Sequence, residues 1–196
     1  MSEEQLVFAY YNGTLVSFER AYRYSASEFG GPIDVKLSGI EHGPKPLHLI
    51  AQLAATDLRP KSLGAGEREK LFSIPLIYGM CFDGCNIDYH VDIKGNIEIR
   101  KMRPTESSDD WPYRNYPPLL PYLPLRVGQT RSCSYEEFAE PFCNMPEQQT
   151  TELVVAVPTP ATLGVSLWGR GAGEYVTIVF ECDLAERMVY AFNVCD

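Results

Sequence analysis

The chain has 196 residues, of which 45% are hydrophobic and 22% charged, and its formal net charge is −9. These values are typical of a globular protein with a core, and they exclude disorder on grounds of composition. The length favours a single domain, residues 1–196. No run approaches the roughly 18 continuous apolar residues of a membrane span, and the acidic start Met1–Glu4 is unlike a signal peptide. We therefore expect a cytoplasmic protein without membrane association.

The negative charge is concentrated in the last third of the chain. Residues 132–196 hold ten acidic residues against Arg170 and Arg187, whereas residues 1–131 hold 16 acidic and 15 basic residues. This distribution argues against nucleic acid as a ligand, because phosphate binding requires Lys and Arg. An acidic surface favours encounter with a basic protein partner instead. The alternative is an acidic surface that only keeps the protein soluble.

The strongest local signal lies at the N-terminus. Two apolar runs, 6–11 and 14–18, flank the pair Asn12-Gly13. This pair accepts the positive φ angles of a type I′ turn and so predicts a β-hairpin. Because both faces of the hairpin are largely apolar, we expect it inside a sheet rather than at an edge.

Further strands are predicted along the chain. Alternating or apolar runs indicate strands at 33–37, 75–82, 86–102 with a turn at 94–96, 150–157, 163–168, 174–182 and 188–194. Residues 47–53 fit either a strand or a buried helix. With a three-residue turn at 94–96, Ile93 would face Ile97 and His90 would face Arg100. This register pairs apolar residues with apolar residues and polar residues with polar residues.

A short helix is predicted late in the chain. Ser134 and Glu137 form a capping box ahead of a helix at about 135–140, which ends before Pro141. The proline-rich segment 104–125 fits neither a helix nor a central strand, and we expect it to pack as an extended segment. No βαβ alternation is present. The fold class predicted is therefore α+β and β-rich, with about nine mostly antiparallel strands and one to three short helices.

Three polar residues occupy alternate positions of the strand predicted from residue 86. Asp88, His90 and Asp92 would project from one face, where they could hold a divalent metal or act as acid and base. The alternative is the solvated face of an amphipathic hairpin, since a strand with apolar residues inward carries polar residues outward.

Other signals for chemistry are weaker. Cys81 and Cys85 have a spacing found in zinc sites, but no second closely spaced cysteine pair completes the ligand set. The glycine-rich segment 169–173 joins two predicted strands, whereas phosphate-binding loops lead from a strand into a helix. No Gly-x-Ser-x-Gly motif occurs. We expect no cofactor, and an enzyme is the less favoured class.

Two stretches resemble the YwqG-like family of bacterial proteins of unknown function. They are Pro46–Leu53 with Asp57-Leu58, and the segment from Trp111-Pro112-Tyr113 to Leu120–Leu125. The resemblance implies a β-rich α+β fold and supplies no catalytic residues. The overall profile, a small acidic chain without a catalytic motif, is also similar to that of immunity proteins, which neutralise secreted bacterial toxins.

The leading hypothesis is a non-enzymatic cytoplasmic binding protein that sequesters or occludes a basic protein partner, as immunity proteins do with toxins. The partner-binding residues predicted are acidic or aromatic and lie in the last third: Glu136, Glu137, Glu140, Glu147, Tyr135 and Trp168. One alternative is a metal-dependent or acid–base enzyme that uses Asp88, His90 and Asp92. Another is a small-ligand-binding protein with an aromatic pocket built from residues 111–122.

Overall fold

One sheet contains all the strands that the structure describes. The structure is a computed structural model, and it describes residues 4–40, 47–58, 73–80, 84–104, 119–142, 144–147, 151–161, 163 and 176–195. Within these ranges, twelve strands form the sheet and one short helix packs on it. The β-rich class is therefore confirmed, whereas the expected number of about nine strands is wrong.

The strands are numbered in the order in which they occur along the chain. They are β1 (Gln5–Tyr11), β2 (Thr14–Arg20), β3 (Ser27–Phe29), β4 (Leu37–Gly39), β5 (His48–Leu53), β6 (Ile74–Tyr78), β7 (Cys85–Val91), β8 (Ile97–Pro104), β9 (Leu123–Ser132), β10 (Leu153–Pro158), β11 (Val176–Asp183) and β12 (Met188–Cys195). The helix is α1 (Tyr135–Ala139). Across the sheet the order is β4-β8-β7-β12-β11-β10-β1-β2-β9-β3-β5-β6, and only the β4–β8 pair is parallel in this described sheet.

The N-terminal hairpin forms as its sequence predicts. Tyr11 faces Thr14 across a two-residue turn, in which Asn12 has φ 45° and Gly13 has φ 74°. Both angles are positive, as a type I′ turn requires. β1 also pairs with β10, so the hairpin lies inside the sheet, as expected from its two apolar faces.

The central strands of the sheet are apolar on both faces, and a hydrophobic cluster lies on each face. The larger cluster, the inner core, includes the fully buried side chains of Phe18, Phe29, Tyr89 and Phe180. The smaller cluster, the outer core, lies on the opposite face under α1. Its buried members are Tyr10, Cys133, Tyr135, Phe138, Phe142, Val154, Ala156, Val179 and Val194. The central strands are therefore buried on both sides, which explains their nearly continuous apolar sequences.

The sheet curls so that its edge strand β6 returns to contact β7 and β12. The buried Tyr89 hydroxyl joins the two parts, since it donates to the Pro75 carbonyl oxygen (2.9 Å) and accepts from the Ile77 amide (3.1 Å). The Tyr78 hydroxyl makes a second link, to Asn193 Oδ1 at 2.8 Å. A buried backbone group without a partner costs about 1–3 kcal/mol, so these hydroxyls stabilise the curled sheet.

The register predicted for the hairpin of β7 and β8 is wrong by two residues. His90 faces Glu98 and Val91 faces Ile97, so that Ile93 lies in the turn, 73% exposed. Asp92 causes the longer turn. Its carboxylate accepts from the Lys94 amide at 2.7 Å and from the Asn96 amide at 2.9 Å, and these bonds hold a five-residue loop. A shift by two residues preserves the faces of the strands, so the alternation is still as predicted.

Three other elements differ from the prediction, and one of them is β3, at whose residues no strand was predicted. The strand expected at 33–37 begins only at Leu37, because Ile33 and Val35 pack on the inner core from an irregular segment. The strand β9 was not predicted, since its exposed second half is polar and its first half contains Pro124. The Pro124 carbonyl oxygen accepts from the Ala21 amide (2.7 Å), outside the regular ladder. Residues 164–175, including the glycine-rich segment 169–173, lie outside the described residues.

Candidate functional site

The helix α1 is anchored on the sheet by aromatic rings. Tyr135, Phe138 and the following Phe142 point into the outer core and are buried. Phe138 stacks on Tyr10 with ring centroids 5.4 Å apart, and Phe142 meets Phe8 edge to face, also at 5.4 Å. Aromatic pairs of this geometry contribute about 0.5–1.5 kcal/mol each beyond their burial. A helix of five residues cannot be stable alone, so these contacts hold it in place.

The capping box predicted at the start of α1 is confirmed. The Ser134 hydroxyl accepts from the Glu137 amide at 3.2 Å, and the Glu137 carboxylate accepts from the Ser134 amide at 2.9 Å. Both bonds satisfy amides that a helix N-terminus otherwise leaves free. The cap fixes where the helix begins and therefore which residues it exposes.

Replacing Ser134 by Ala is expected to lower the free energy of unfolding by about 1 kcal/mol, because the Glu137 amide loses its acceptor. Urea denaturation measures this change. Ser132→Ala, at an exposed strand end outside the cap, is the control and is expected to have no comparable effect. An equal loss in both variants would contradict the role of the cap.

The glutamates predicted to bind a partner are exposed around this helix. Glu136, Glu137, Glu140 and Glu147 all have exposed side chains. Glu137 serves the cap, whereas no described Lys or Arg forms an ion pair with any of the four. Hydrogen bonds from its own amide and from the Ser134 hydroxyl lower the pKa of Glu136 below its ordinary value, so this carboxylate stays charged.

The two aromatic residues predicted as anchors have different positions. Tyr135 is only 6% exposed and donates its hydroxyl to the Pro146 carbonyl oxygen at 2.9 Å. It therefore positions α1 and the segment that leads to Glu147, and does not present a free ring. Trp168 lies outside the described residues, as do Trp111 and Tyr113.

A buried carboxyl group lies beside this helix. Glu181, in the middle of β11, is 4% exposed and stands between Val154 and Tyr190 in the cross-strand rows. In the described part of the chain, neither a cation nor a hydrogen-bond donor contacts it. Burial accordingly raises its pKa above the ordinary value. Its charge in turn helps to raise the pKa of Tyr135, after the larger effect of burial, which shows that the two side chains are close.

Replacing Glu181 by Gln is expected to stabilise the protein at neutral pH, because burial raises the pKa of the Glu181 carboxyl group. The raised pKa means that Glu181 binds its proton more tightly in the folded state than in the unfolded state, where its pKa is near 4.5. Below pH 4.5 Glu181 is protonated in both states, so the variant is no more stable than the wild type. As the pH rises through the pKa of the folded state, the wild type loses stability and the variant does not. Melting curves from pH 4 to pH 8 measure this difference. Glu186→Gln, in the exposed turn, should show none of it.

Asp88, His90 and Asp92 do not act as one set. Asp88 and His90 share the outer face of β7, where Asp88 lies 3.7 Å from the Lys101 ammonium group and His90 faces Met188 and Glu98. Asp92 lies in the turn, and its second oxygen also accepts from the Asn96 side chain at 2.8 Å. Among the described residues, no group of three or more His, Cys, Asp or Glu side chains is arranged to hold a metal ion.

Three described cysteines lie in the hydrophobic cores. Cys85 and Cys182 belong to the inner core and Cys133 to the outer core, so the sheet separates the first two from the third. Burial raises the pKa of the Cys85 thiol to about 12. These thiols are therefore small buried apolar groups. Cys81 and Cys143 lie outside the described residues.

Comparison with known proteins leaves the function to be argued from the site. No protein-family model matches the chain, and no curated protein and no solved structure is significantly similar to it. The resemblance to the YwqG-like family stays a prediction; of its residues, His48–Leu53 form β5, and 111–117 lie outside the described ranges. No helix in the described part of the chain is long and apolar enough to cross a membrane.

Sequence reasoning did not single out Glu181. The signal was present, since Glu181 is the one charged residue in the largely apolar run from Val176 to Cys182, within the strand predicted at 174–182. A charged side chain in such a strand is rarely buried without a partner. Together with the exposed glutamates of residues 136–147, Glu181 forms what we call the acidic face.

Proposed function

We propose that this chain is a cytoplasmic, non-enzymatic binding protein that sequesters or occludes a basic protein partner, in the manner of immunity proteins that neutralise toxins. The observation that carries the proposal concerns Glu181, a residue that is only 4% exposed and lies beside a helix that exposes glutamates. No cation among the described residues contacts its carboxyl group. The partner would place a Lys or Arg side chain against this group.

The energetic argument concerns the cost of burying Glu181. A carboxylate removed from water without a counter-charge is unfavourable, and a chain normally avoids such a position. A partner cation would supply the missing charge and hydrogen bonds. Charge pairs of this kind, removed from water at the centre of an interface, are among the contacts whose loss costs most.

The surroundings of Glu181 suit such an interface centre. Tyr190 and Phe192 are partly buried neighbours on β12, with their rings 5.1 Å apart, and they offer apolar area next to the carboxyl group. Aromatic residues around a charged group exclude water from it and so strengthen the interaction. This arrangement assigns the aromatic contacts to Tyr190 and Phe192, while Tyr135 supports the helix from below.

The exposed glutamates would act at longer range. Glu136, Glu140 and Glu147 stand on a helix and segment that the outer core fixes, and no described cation neutralises them. An acidic patch of this kind raises the association rate with a basic protein, and salt reduces the effect. Glu137 contributes less, because its carboxylate is occupied by the cap.

The test is affinity capture with tagged protein from cells of the source organism, in which bound proteins are eluted by a salt gradient. We expect the wild type and the control Glu98→Gln to retain the same basic protein and to release it with salt, and Glu181→Gln to lose it. Glu98 lies on β8, which β7 and β12 separate from β11, and its carboxylate pairs with Arg100 at 2.9 Å. Retention by all three proteins, or the absence of a basic protein, would refute the proposal.

A further inference from the structure

A second surface, away from the acidic face, exposes tyrosine rings beside carboxylates. Tyr24 is 92% exposed, Tyr22 is 78% exposed and Tyr122 is 49% exposed. Large aromatic side chains bury 150–250 Å² each when they are packed, so several exposed rings in one region indicate a binding surface. Tyr22 and Tyr24 lie in the loop after β2, and Tyr122 directly precedes β9.

Glu28 connects these tyrosines. It is the middle residue of β3, and because Ser27 and Phe29 are fully buried on the inner side, the Glu28 side chain projects from the opposite face. Its carboxylate accepts a hydrogen bond from the Tyr122 hydroxyl. Partial burial raises the pKa of Glu28, and the charge of Asp34 raises it further. The carboxylate of Asp34 therefore lies close to that of Glu28.

The ring of Tyr122 is held in a fixed position. A Cβ atom at Gly31 would lie only 3.1 Å from Tyr122 Cδ2, so the ring lies directly against the glycine backbone. The Gly31 amide also donates to the Leu120 carbonyl oxygen at 3.0 Å, which ties the two segments together. One side of the ring therefore packs on the protein, and its other side is open to a ligand.

Tyr24 completes the arrangement. The loop that carries Tyr24 is tied to the start of β9, because the Ala21 amide donates to the Pro124 carbonyl oxygen at 2.7 Å. Tyr24 also helps to raise the pKa of Tyr122, after burial and the charge of Glu28. The rings of Tyr24 and Tyr122 do not stack on each other in the described structure. Tyr24 is exposed almost completely and Tyr122 about by half. Arg23 is exposed in the same loop and carries one positive charge. Glu28 and Asp34 carry two negative charges, so the region as a whole attracts a cation.

We propose that Tyr24, Tyr122 and Glu28 form a binding site for the trimethylammonium group of a small molecule of the choline type. Aromatic faces attract such a group through their negative electrostatic potential, and the group gives up its weakly held water easily. The carboxylate adds charge without needing a hydrogen-bond donor from the ligand. This site shares no residue with the acidic face and stands independently of the function proposed above.

The experiment is an NMR titration of the ¹⁵N-labelled protein with choline chloride and, separately, with 3,3-dimethylbutan-1-ol, a neutral molecule of nearly the same shape. We expect saturable shifts for choline that are confined to the amides near residues 22–34 and 119–124, and binding at least about tenfold weaker for the neutral compound. Equal responses to the two compounds, or shifts elsewhere, would overturn the proposal.

Variants test which side chains carry the binding. Tyr24→Leu should weaken choline binding about threefold to fivefold, as expected for the loss of one ring at an exposed site. Because Tyr24 is 92% exposed, this variant will fold. Glu28→Gln should weaken it similarly, whereas Glu186→Gln, in the turn between β11 and β12, should leave it unchanged. Unchanged binding by Tyr24→Leu would also overturn the proposal.

Discussion

Charge reversal at Glu140 and Glu147 is expected to weaken binding of the basic partner by at least about 100-fold, or about 3 kcal/mol. Both side chains are exposed and neither forms an ion pair with a described residue, so the double variant Glu140→Lys, Glu147→Lys replaces attraction by repulsion. Folding should be unaffected, because Glu140 is the C-cap of α1, where a lysine interacts favourably with the helix dipole. Isothermal titration calorimetry with the purified partner measures the change.

A control variant separates this local effect from a change in net charge. Glu98→Lys with Asp34→Lys makes the same change in total charge at β8 and at the loop after β3. The control should reduce affinity only severalfold, and that loss should disappear at high salt. If both double variants lost affinity equally, attraction would depend on total charge and not on the acidic face.

Replacing Phe138 by Ala is expected to lower the free energy of unfolding by about 3–5 kcal/mol. Phe138 is 1% exposed, and its ring contacts Tyr10, Tyr135 and Phe142, so truncation leaves a cavity in the outer core. Because the short helix packs on this core, the variant should also lose affinity for the partner at temperatures where the sheet is still folded. Urea denaturation and calorimetry measure the two effects.

Ile93→Ala is the matched control for this loss. Ile93 is 73% exposed in the turn between β7 and β8, and its truncation should change stability by no more than about 0.5 kcal/mol. Phe138→Leu should fall between the control and Phe138→Ala, since it fills part of the cavity. A loss below about 1 kcal/mol for Phe138→Ala would show that α1 does not depend on the outer core.

Features set by a few neighbouring residues could be predicted from the sequence. Asn12-Gly13 specifies its turn through backbone conformation alone, and Ser134 with Glu137 specifies the start of α1 through two local hydrogen bonds. Neither depends on the rest of the fold. The alternation of β7 was equally clear, since it reflects burial of Ile87, Tyr89 and Val91 on one side.

Features that depend on distant parts of the chain, or on a side chain that competes with strand pairing, could not be predicted. The register of β7 and β8 depends on the side chain of Asp92, which competes with strand pairing. β9 is recognisable only from its pairing with β2 and β3, because its second half has neither apolar alternation nor burial. Strands with apolar sequences were predicted well, whereas strands with polar sequences were not.

The candidate site shows the same division. The exposed glutamates near residue 140 were predicted from charge alone, whereas the importance of Glu181 depends on its burial among Val154, Tyr190 and Tyr135. These residues come together only when β10, β11 and β12 pair and α1 packs over them. The sequence therefore identifies the exposed glutamates, and the fold identifies the buried Glu181.

The affinity of Glu181→Gln for the purified partner tests the account most directly, provided that stability is measured on the same sample. We expect affinity to fall at least about tenfold while the melting temperature at pH 7 rises or stays level, since the buried charge opposes folding and favours binding. Unchanged affinity in a folded Glu181→Gln protein would contradict the central claim that a partner cation neutralises this carboxyl group.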